Sequence, residues 1–228
     1  MTLLAIDTST RVCALGVRHG TQTWVDETDL GRTHSQEILP RIEALLNRAD
    51  VARSALDGIV FGQGPGSFTG LRIGIGVVQG LAYGLGVPVV GISSLACLAQ
   101  QFLKAEGESA LVALAARNTE VYFGAYEKVA AGVRLIGQEG VFEALEIPSQ
   151  DPAGKWIGVG DGWQLRDQLL QASGVTLQGE YLEPRITASD LLDLGQLDFD
   201  RGLEKSAFDA LPEYLREQVA TAPSGKKV

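Results

Sequence analysis

Gly62-Gln63-Gly64-Pro65-Gly66-Ser67-Phe68-Thr69-Gly70-Leu71-Arg72-Ile73-Gly74 follows directly on a short apolar run that begins at Gly58. The run reads as a strand, the clustered glycines as a turn, and Gly70 to Gly84 as a helix. A strand-turn-helix of this kind turns backbone N–H groups outward at the positive end of a helix dipole, a geometry that holds anions. The stretch nevertheless lacks the Gly-Lys-Ser/Thr ending of a P-loop and the glycine spacing of a dinucleotide fingerprint. It also has no lysine to meet a β- or γ-phosphate. Two readings stay open at this point, a phosphate loop and a structural turn that brings a helix close to its neighbours. The helix itself carries Gly76, Gly80 and Gly84 at i, i+4 and i+8. Each interior helical glycine costs roughly 1 kcal/mol relative to alanine, so a stripe of them implies close approach of another backbone. That backbone belongs either to the chain's own sheet or to another subunit.

From Ile73 to Leu103 no side chain is charged. About 20 apolar residues would cross a bilayer, but this run is broken by five glycines from Gly74 to Gly86 and by Pro88. Gln79, Ser93 and Ser94 add polar groups, and no Lys/Arg cluster flanks it to set an orientation. It reads as a buried helix, a strand from Val87 to Ile92, and a second helix. Upstream, Leu3 to Ile6, Cys13 to Arg18 and Gln22 to Asp26 read as a three-strand antiparallel meander. Apolar residues at 38, 39, 42, 45, 46 and 49 predict a helix over 35–49. Thr33 and Gln36 are spaced as a capping box, and Pro40 predicts a kink or a helix start nearby. This strand-helix alternation implies an α/β protein with a parallel or mixed sheet.

Charge returns at Lys104-Ala105-Glu106-Gly107-Glu108, the expected boundary between an N-terminal α/β unit (1–105) and a second one (106–220). The second unit has strands expected at 111–115, 120–127, 132–138 and 156–160. Helices are expected up to about Ala172 and over 187–194, the latter capped by Thr187 or Ser189. A last element is expected over 213–219, and 221–228 reads as a flexible tail.

The chain has 228 residues, with 19 Lys+Arg against 28 Asp+Glu, a net charge of −9 and 45% hydrophobic residues. That composition supports a sizeable core and excludes wholesale disorder. The acidic balance argues against unaided binding of a nucleic-acid backbone, which relies on Lys and Arg. Two cysteines make no disulfide framework, no basic n-region precedes the apolar start, and a cytoplasmic protein is expected.

Asp7-Thr8-Ser9-Thr10 sits where a strand turns and could aim a carboxylate and hydroxyls at a phosphate-bound metal, or form an Asx or Ser/Thr turn. Gly160-Asp161-Gly162 carries the same two readings. Cys13 and Cys97 fall within apolar elements, as core thiols do. His19 and His34 have no ligand pattern around them, so no metal site is expected, and His34 reads as a helix-start residue. No nucleophile-base pair is visible, so no catalytic residue is nominated.

The segment Gly64 to Gly74 closely resembles the signature of the TsaB (YeaZ) family. Leu4-Ala5-Ile6-Asp7-Thr8-Ser9, His34-Ser35-Gln36 with Leu39-Pro40, Val90-Gly91-Ile92-Ser93-Ser94-Leu95 and Pro212-Glu213-Tyr214-Leu215-Arg216 match it in order along the whole chain. The resemblance implies an actin/Hsp70/sugar-kinase-like (ASKHA) fold of two α/β subdomains. It implies a non-catalytic scaffold subunit in forming N6-threonylcarbamoyladenosine at position 37 of ANN-decoding tRNAs. The implied partners are the catalytic paralogue TsaD and the ATPase TsaE, with a homodimer in isolation, tRNA met only through the complex, and no membrane. No cofactor is implied for this chain alone; ATP or ADP would lodge only at the interface with TsaD. In the paralogue a metal-binding His-x-x-x-His follows the corresponding strand, and here Ser94 and Leu98 stand at those places. Relatives often carry an aspartate where this chain has Ala115.

The resemblance further nominates a four-helix pairing surface: Ile38, Ile42 and Leu45 on the first helix, and Leu71, Ile75, Gly76, Val78, Gly80 and Ala82 on the second. Asp7, Thr8, Ser9, Gly160 and Asp161 remain as vestigial nucleotide- or phosphate-binding candidates. An ATP-dependent small-molecule kinase of the same fold is the alternative, motivated by Asp7 and the two glycine turns. A peptidase has no supporting nucleophile or metal motif.

Overall fold

A computed structural model describes residues 1–215. Three strands, β1 (Thr2–Asp7), β2 (Val12–His19) and β3 (Gln22–Asp29), form the expected meander. Strand β1 also pairs in parallel with β4 (Gly58–Gly64), and β4 with β5 (Val89–Ser93), giving the order β3-β2-β1-β4-β5. Every residue of β1 is buried, as a central strand covered on both faces requires.

The second sheet repeats this plan. Its meander is β6 (Glu108–Ala115), β7 (Glu120–Lys128) and β8 (Val133–Glu143), and β9 (Lys155–Val159) and β10 (Leu177–Tyr181) add in parallel beyond β6. The order is therefore β8-β7-β6-β9-β10, the same winding as the first sheet. Two α/β halves of one topology make the ASKHA-type fold. Strand β10 has no clear apolar alternation in Leu-Gln-Gly-Glu-Tyr, and the sequence reading passed over it.

The helices divide by face. Helices α1 (His34–Arg48) and α2 (Phe68–Leu85) cover the outer face of the first sheet, packing Ile38, Ile42, Leu45, Ile75, Val78 and Ala82 onto Leu4, Ile6, Leu15 and Ile59. Between the sheets lie α3 (Ser94–Phe102) and α5 (Ala188–Asp200), whose Leu95, Leu98, Leu191 and Phe199 join Leu3, Val60, Val90, Ala110 and Val112 in one core. Helix α4 (Arg166–Ser173) lies on the far face of the second sheet, in the core around Trp156, Trp163 and Leu169. The strands of the two sheets divide on either side of residues 93–108, yet α5 crosses back to pack on β1, β2, β4 and β5.

The halves differ in their crossovers. Between β3 and β4 runs the full helix α1, whereas between β8 and β9 there is a single 3-10 turn, Ala144–Glu146. No helix among the described residues is long and apolar enough to cross a membrane.

Three local expectations are corrected. The capping box at Thr33 does not form: the Thr33 hydroxyl donates to Leu30 O and caps no helix amide. Helix α1 starts at His34 and runs on through Pro40 rather than beginning at it. Glu213 to Leu215 are not helical, and the rest of the element expected over 213–219, like the tail, lies outside the described residues. Thr187 does cap α5, its hydroxyl accepting from Asp190 N at 3.1 Å.

Candidate functional site

The glycine signature is built against the Asp7–Ser9 turn. Ser67 N donates to Ser9 O at 2.7 Å and the Thr8 hydroxyl donates to Gly70 O at 2.8 Å. A Cβ on Gly66 would stand 2.6 Å from Ser9 O, and one on Gly70 would stand 2.0 Å from Thr8 O. Gly62 is as tight, since its Cβ would overlap Asp7 Oδ2 at 1.8 Å. Only glycine lets the two backbones meet this closely. The Ser67 amide thus meets Ser9 O and the Gly70 amide the Ser67 hydroxyl, at 3.2 Å, as the structural-turn reading requires.

Asp7 is buried. Its Oδ1 accepts from the Ser9 amide at 3.0 Å and the Ser9 hydroxyl at 2.9 Å, while Oδ2 has no partner. Burial pushes its carboxyl up to about 6, against the lowering effect of the two bonds from Ser9. Asp161 Oδ1 accepts from Ala115 N at 2.8 Å, closing the end of β6. Gly160, at φ +111°, sits where a Cβ would meet Ala113 O at 2.1 Å. Asp7 Oδ1, the Thr8 and Ser9 hydroxyls and Asp161 Oδ1 thus all bond within the chain itself.

The two turns back opposite walls of a cleft of about 570 Å³ between the halves. Gly66, Phe68 and Leu71 form one wall and Ala115, Ala116 and Arg117 the other. Residues 213–215 run along it. Glu213 N donates to Gln63 O, and Arg72 donates to the Tyr214 hydroxyl at 3.1 Å while stacking over Phe68. Neither Asp7 nor Asp161 lines this cleft, so no carboxylate from those turns is offered to a substrate hydroxyl there.

A metal does not fit the place where the paralogue's histidines would be. Ser94 is buried at the start of α3, and Leu98, without a donor atom, packs between the sheets. Among the described residues no three His, Cys, Asp or Glu side chains converge to hold an ion. Cys13 and Cys97 are free and buried, and burial pushes the Cys13 thiol up to about 12.

The nominated pairing surface divides in two. Ile38, Ile42, Leu45, Leu71, Ile75, Val78 and Ala82 are all 5% exposed or less and, Leu71 apart, face the core beneath α1 and α2. The apolar face of each helix covers its own sheet, so these side chains present little surface of their own to a partner. Gly76 and Gly80 are exposed, and with Gly84 they have nothing within 4 Å of an added Cβ. Gly70 and Gly74 abut Thr8 instead. The glycines of one helix therefore serve two different contacts. Next to Gly84 on α2, Tyr83 is 70% exposed, and on α1 Leu39 is 54% exposed.

Residues 28–155 match the family model described as TsaD, tRNA N6-adenosine threonylcarbamoyltransferase. The chain is 36% identical to the tRNA threonylcarbamoyladenosine biosynthesis protein TsaB of Escherichia coli, over 96% of each chain. It is 34% identical to that of Haemophilus influenzae, over 96% of this chain and 95% of the relative. The solved structure of YeaZ from Pseudomonas aeruginosa superposes with a TM-score of 0.87 at 40% identity, covering 94% of this chain and 99% of that one. The chain belongs to the TsaB (YeaZ) family of tRNA threonylcarbamoyladenosine biosynthesis proteins, built on a TsaD-type domain.

Proposed function

We propose that this chain is the non-catalytic partner of a TsaD-type subunit, which transfers a threonylcarbamoyl group to N6 of adenosine 37 in ANN-decoding tRNAs. The observation that carries the reading is the open stripe Gly76, Gly80 and Gly84 on α2. Three interior glycines forgo roughly 1 kcal/mol each of helix propensity without any neighbour in their own chain. A helix of another subunit seated on that stripe would supply the close contact. Tyr83, next to Gly84 on the same helix, is an exposed apolar group, as is Leu39 on α1. The buried Leu98 in place of a ligating histidine, and the inward-facing Asp7, support an accessory rather than a catalytic role. In this reading the chain works in the cytoplasm, TsaE joins the pair, tRNA is met only through the complex, and any ATP or ADP sits at the subunit interface. An isolated chain would pair with itself through the same stripe.

Gly80→Arg is expected to leave the thermal melt within a few degrees of wild type and to abolish co-elution with TsaD, because the charge enters a close helix contact. Undiminished co-elution refutes the interface. Omitting the chain from a reconstitution of TsaD, TsaE and threonylcarbamoyl-adenylate should eliminate the modified base; equal product without it refutes the role.

A further inference from the structure

We propose that Glu139 is a proton-operated clasp between the two halves. Carrying its proton, it lets residues 213–215 lie closed along the cleft; losing it, it loosens them through repulsion from Glu213. The device does not depend on the pairing with TsaD.

The geometry begins with an irregularity in β8. Between the pairs Phe123–Gly140 and Ala125–Ile136 the β7–β8 ladder slips, so Gly137, Gln138 and Glu139 together stand opposite the single Gly124. Gly137, at φ +76°, supplies the left-handed backbone of this bulge. The bulge turns Glu139 in over Gly124, where an added Cβ would stand 3.3 Å from Glu139 Cγ and 2.9 Å from the Tyr126 ring. There the Tyr126 hydroxyl donates to Glu139 Oε1. Tyr126 is 2% exposed and belongs to the core between the sheets. The first half contributes Ser93, at the end of β5. Its Oγ caps α3, accepting from Leu95 N at 3.1 Å and Ala96 N at 3.4 Å, and its own hydrogen is left for Glu139 and Tyr126. A half-buried carboxyl is thus the meeting point of β5, β7 and β8.

The opposing group is Glu213, at the mouth of the cleft. Its amide donates to Gln63 O at 2.9 Å and its Oε2 accepts from Gln63 Nε2 at 2.5 Å, which ties 213–215 to the end of β4. The cations of the surrounding elements are engaged elsewhere. Arg134 pairs with Glu127, Arg201 of α5 with Asp198, Lys128 reaches Gln100, and Arg72 donates to Tyr214. Helix α3 carries no charged side chain. Burial pushes the Glu139 carboxyl above its ordinary 4.5; the Ser93 and Tyr126 hydroxyls pull against this, and the charge of Glu213 adds to the rise. The folded chain therefore keeps this proton to a higher pH than the unfolded chain. The clasp's contribution is complete below 4.5 and is lost as pH rises through the folded value. Ionisation then sets two carboxylates against each other, and the exposed Glu213 is the one free to move away.

The test follows the isotope-labelled full chain by NMR across the acidic to neutral range. It reads the Glu139 carboxyl carbon and the exchange protection of the Glu213 amide, corrected for intrinsic exchange. The carboxyl is expected to titrate above 4.5. Glu213 protection is expected to fall about tenfold at the same midpoint, the equivalent of one pK unit of interaction. Glu139→Gln keeps an acceptor for Tyr126 without a charge and should abolish that fall. Glu213→Gln, at an exposed position, removes the opposing charge and should lower the Glu139 midpoint. Asp7 titrates in the same range in all three chains, so the differences between them isolate Glu139. A Glu139 midpoint at or below 4.5, the wild-type fall persisting in Glu139→Gln, or a midpoint unmoved by Glu213→Gln each overturn the proposal.

Discussion

Asp7 shows how a residue suited to catalysis can serve packing. The carboxylate stands at a strand end beside a glycine turn, and its type and position invite a phosphate reading. The structure turns it inward, against Gly62 and into two bonds from Ser9. Its consequence is a pH dependence of a definite sign. Below about pH 4 both folded and unfolded chains hold the proton. Between the ordinary value of 3.8 and about 6, only the folded chain retains it, so this group's stabilising contribution falls as pH rises and is gone above 6. The difference amounts to about 3 kcal/mol. Asp7→Asn keeps an acceptor for Ser9 and has no charge to bury. Urea titrations should therefore show the variant gaining on the wild type by about that amount between pH 4 and pH 7. A constant gap across the range contradicts the buried ionisation. The sequence could show the carboxylate; it could not show which way the side chain turns, because Gly62 and Ser9 meet it only through tertiary contact.

At the scale of elements, periodicity located α1 and α2 and identified their apolar faces. It did not say what lies against them. Ile38, Ile42 and Leu45 repeat at helical spacing whether a sheet or a second subunit covers them, and here the sheet does. The glycines are the more discriminating signal. Gly70→Ala is expected to destabilise by about 1–3 kcal/mol or more, because its Cβ meets the Thr8 carbonyl. Gly80→Ala, in open space on the same helix, should be neutral or stabilising by up to about 1 kcal/mol. Chemical denaturation of the two variants separates the internal stripe from the external one; equal losses would merge them. His34 was legible as a helix-start residue, and it is the first residue of α1.

The whole molecule is organised around a core that neither half owns. The strands of the two sheets divide between Ser93 and Glu108, a stretch that includes the charge change at Lys104 to Glu108. Helix α5 was readable as a helix but not as the cover of the first sheet, because 187–200 lie beyond the second sheet's strands in the chain. A fragment of residues 1–105 would leave Leu3, Ala5, Val60 and Val90 without Leu191, Leu192 and Phe199 above them. It is expected to lack a cooperative melt, and the full chain is expected to unfold in one transition. A fragment that melts sharply on its own would make the halves independent. The unequal crossovers bear on assembly stoichiometry. With α1 answered by only a 3-10 turn in the second half, the described residues carry one paired-helix flank and no pseudo-symmetric copy of it. Under the proposed function, association through that flank would saturate at two subunits, because no equivalent surface is left among the described residues to recruit a third. In the proposed pairing a filament does not propagate from it, and excess free chain and a catalytic paralogue would compete for one seat.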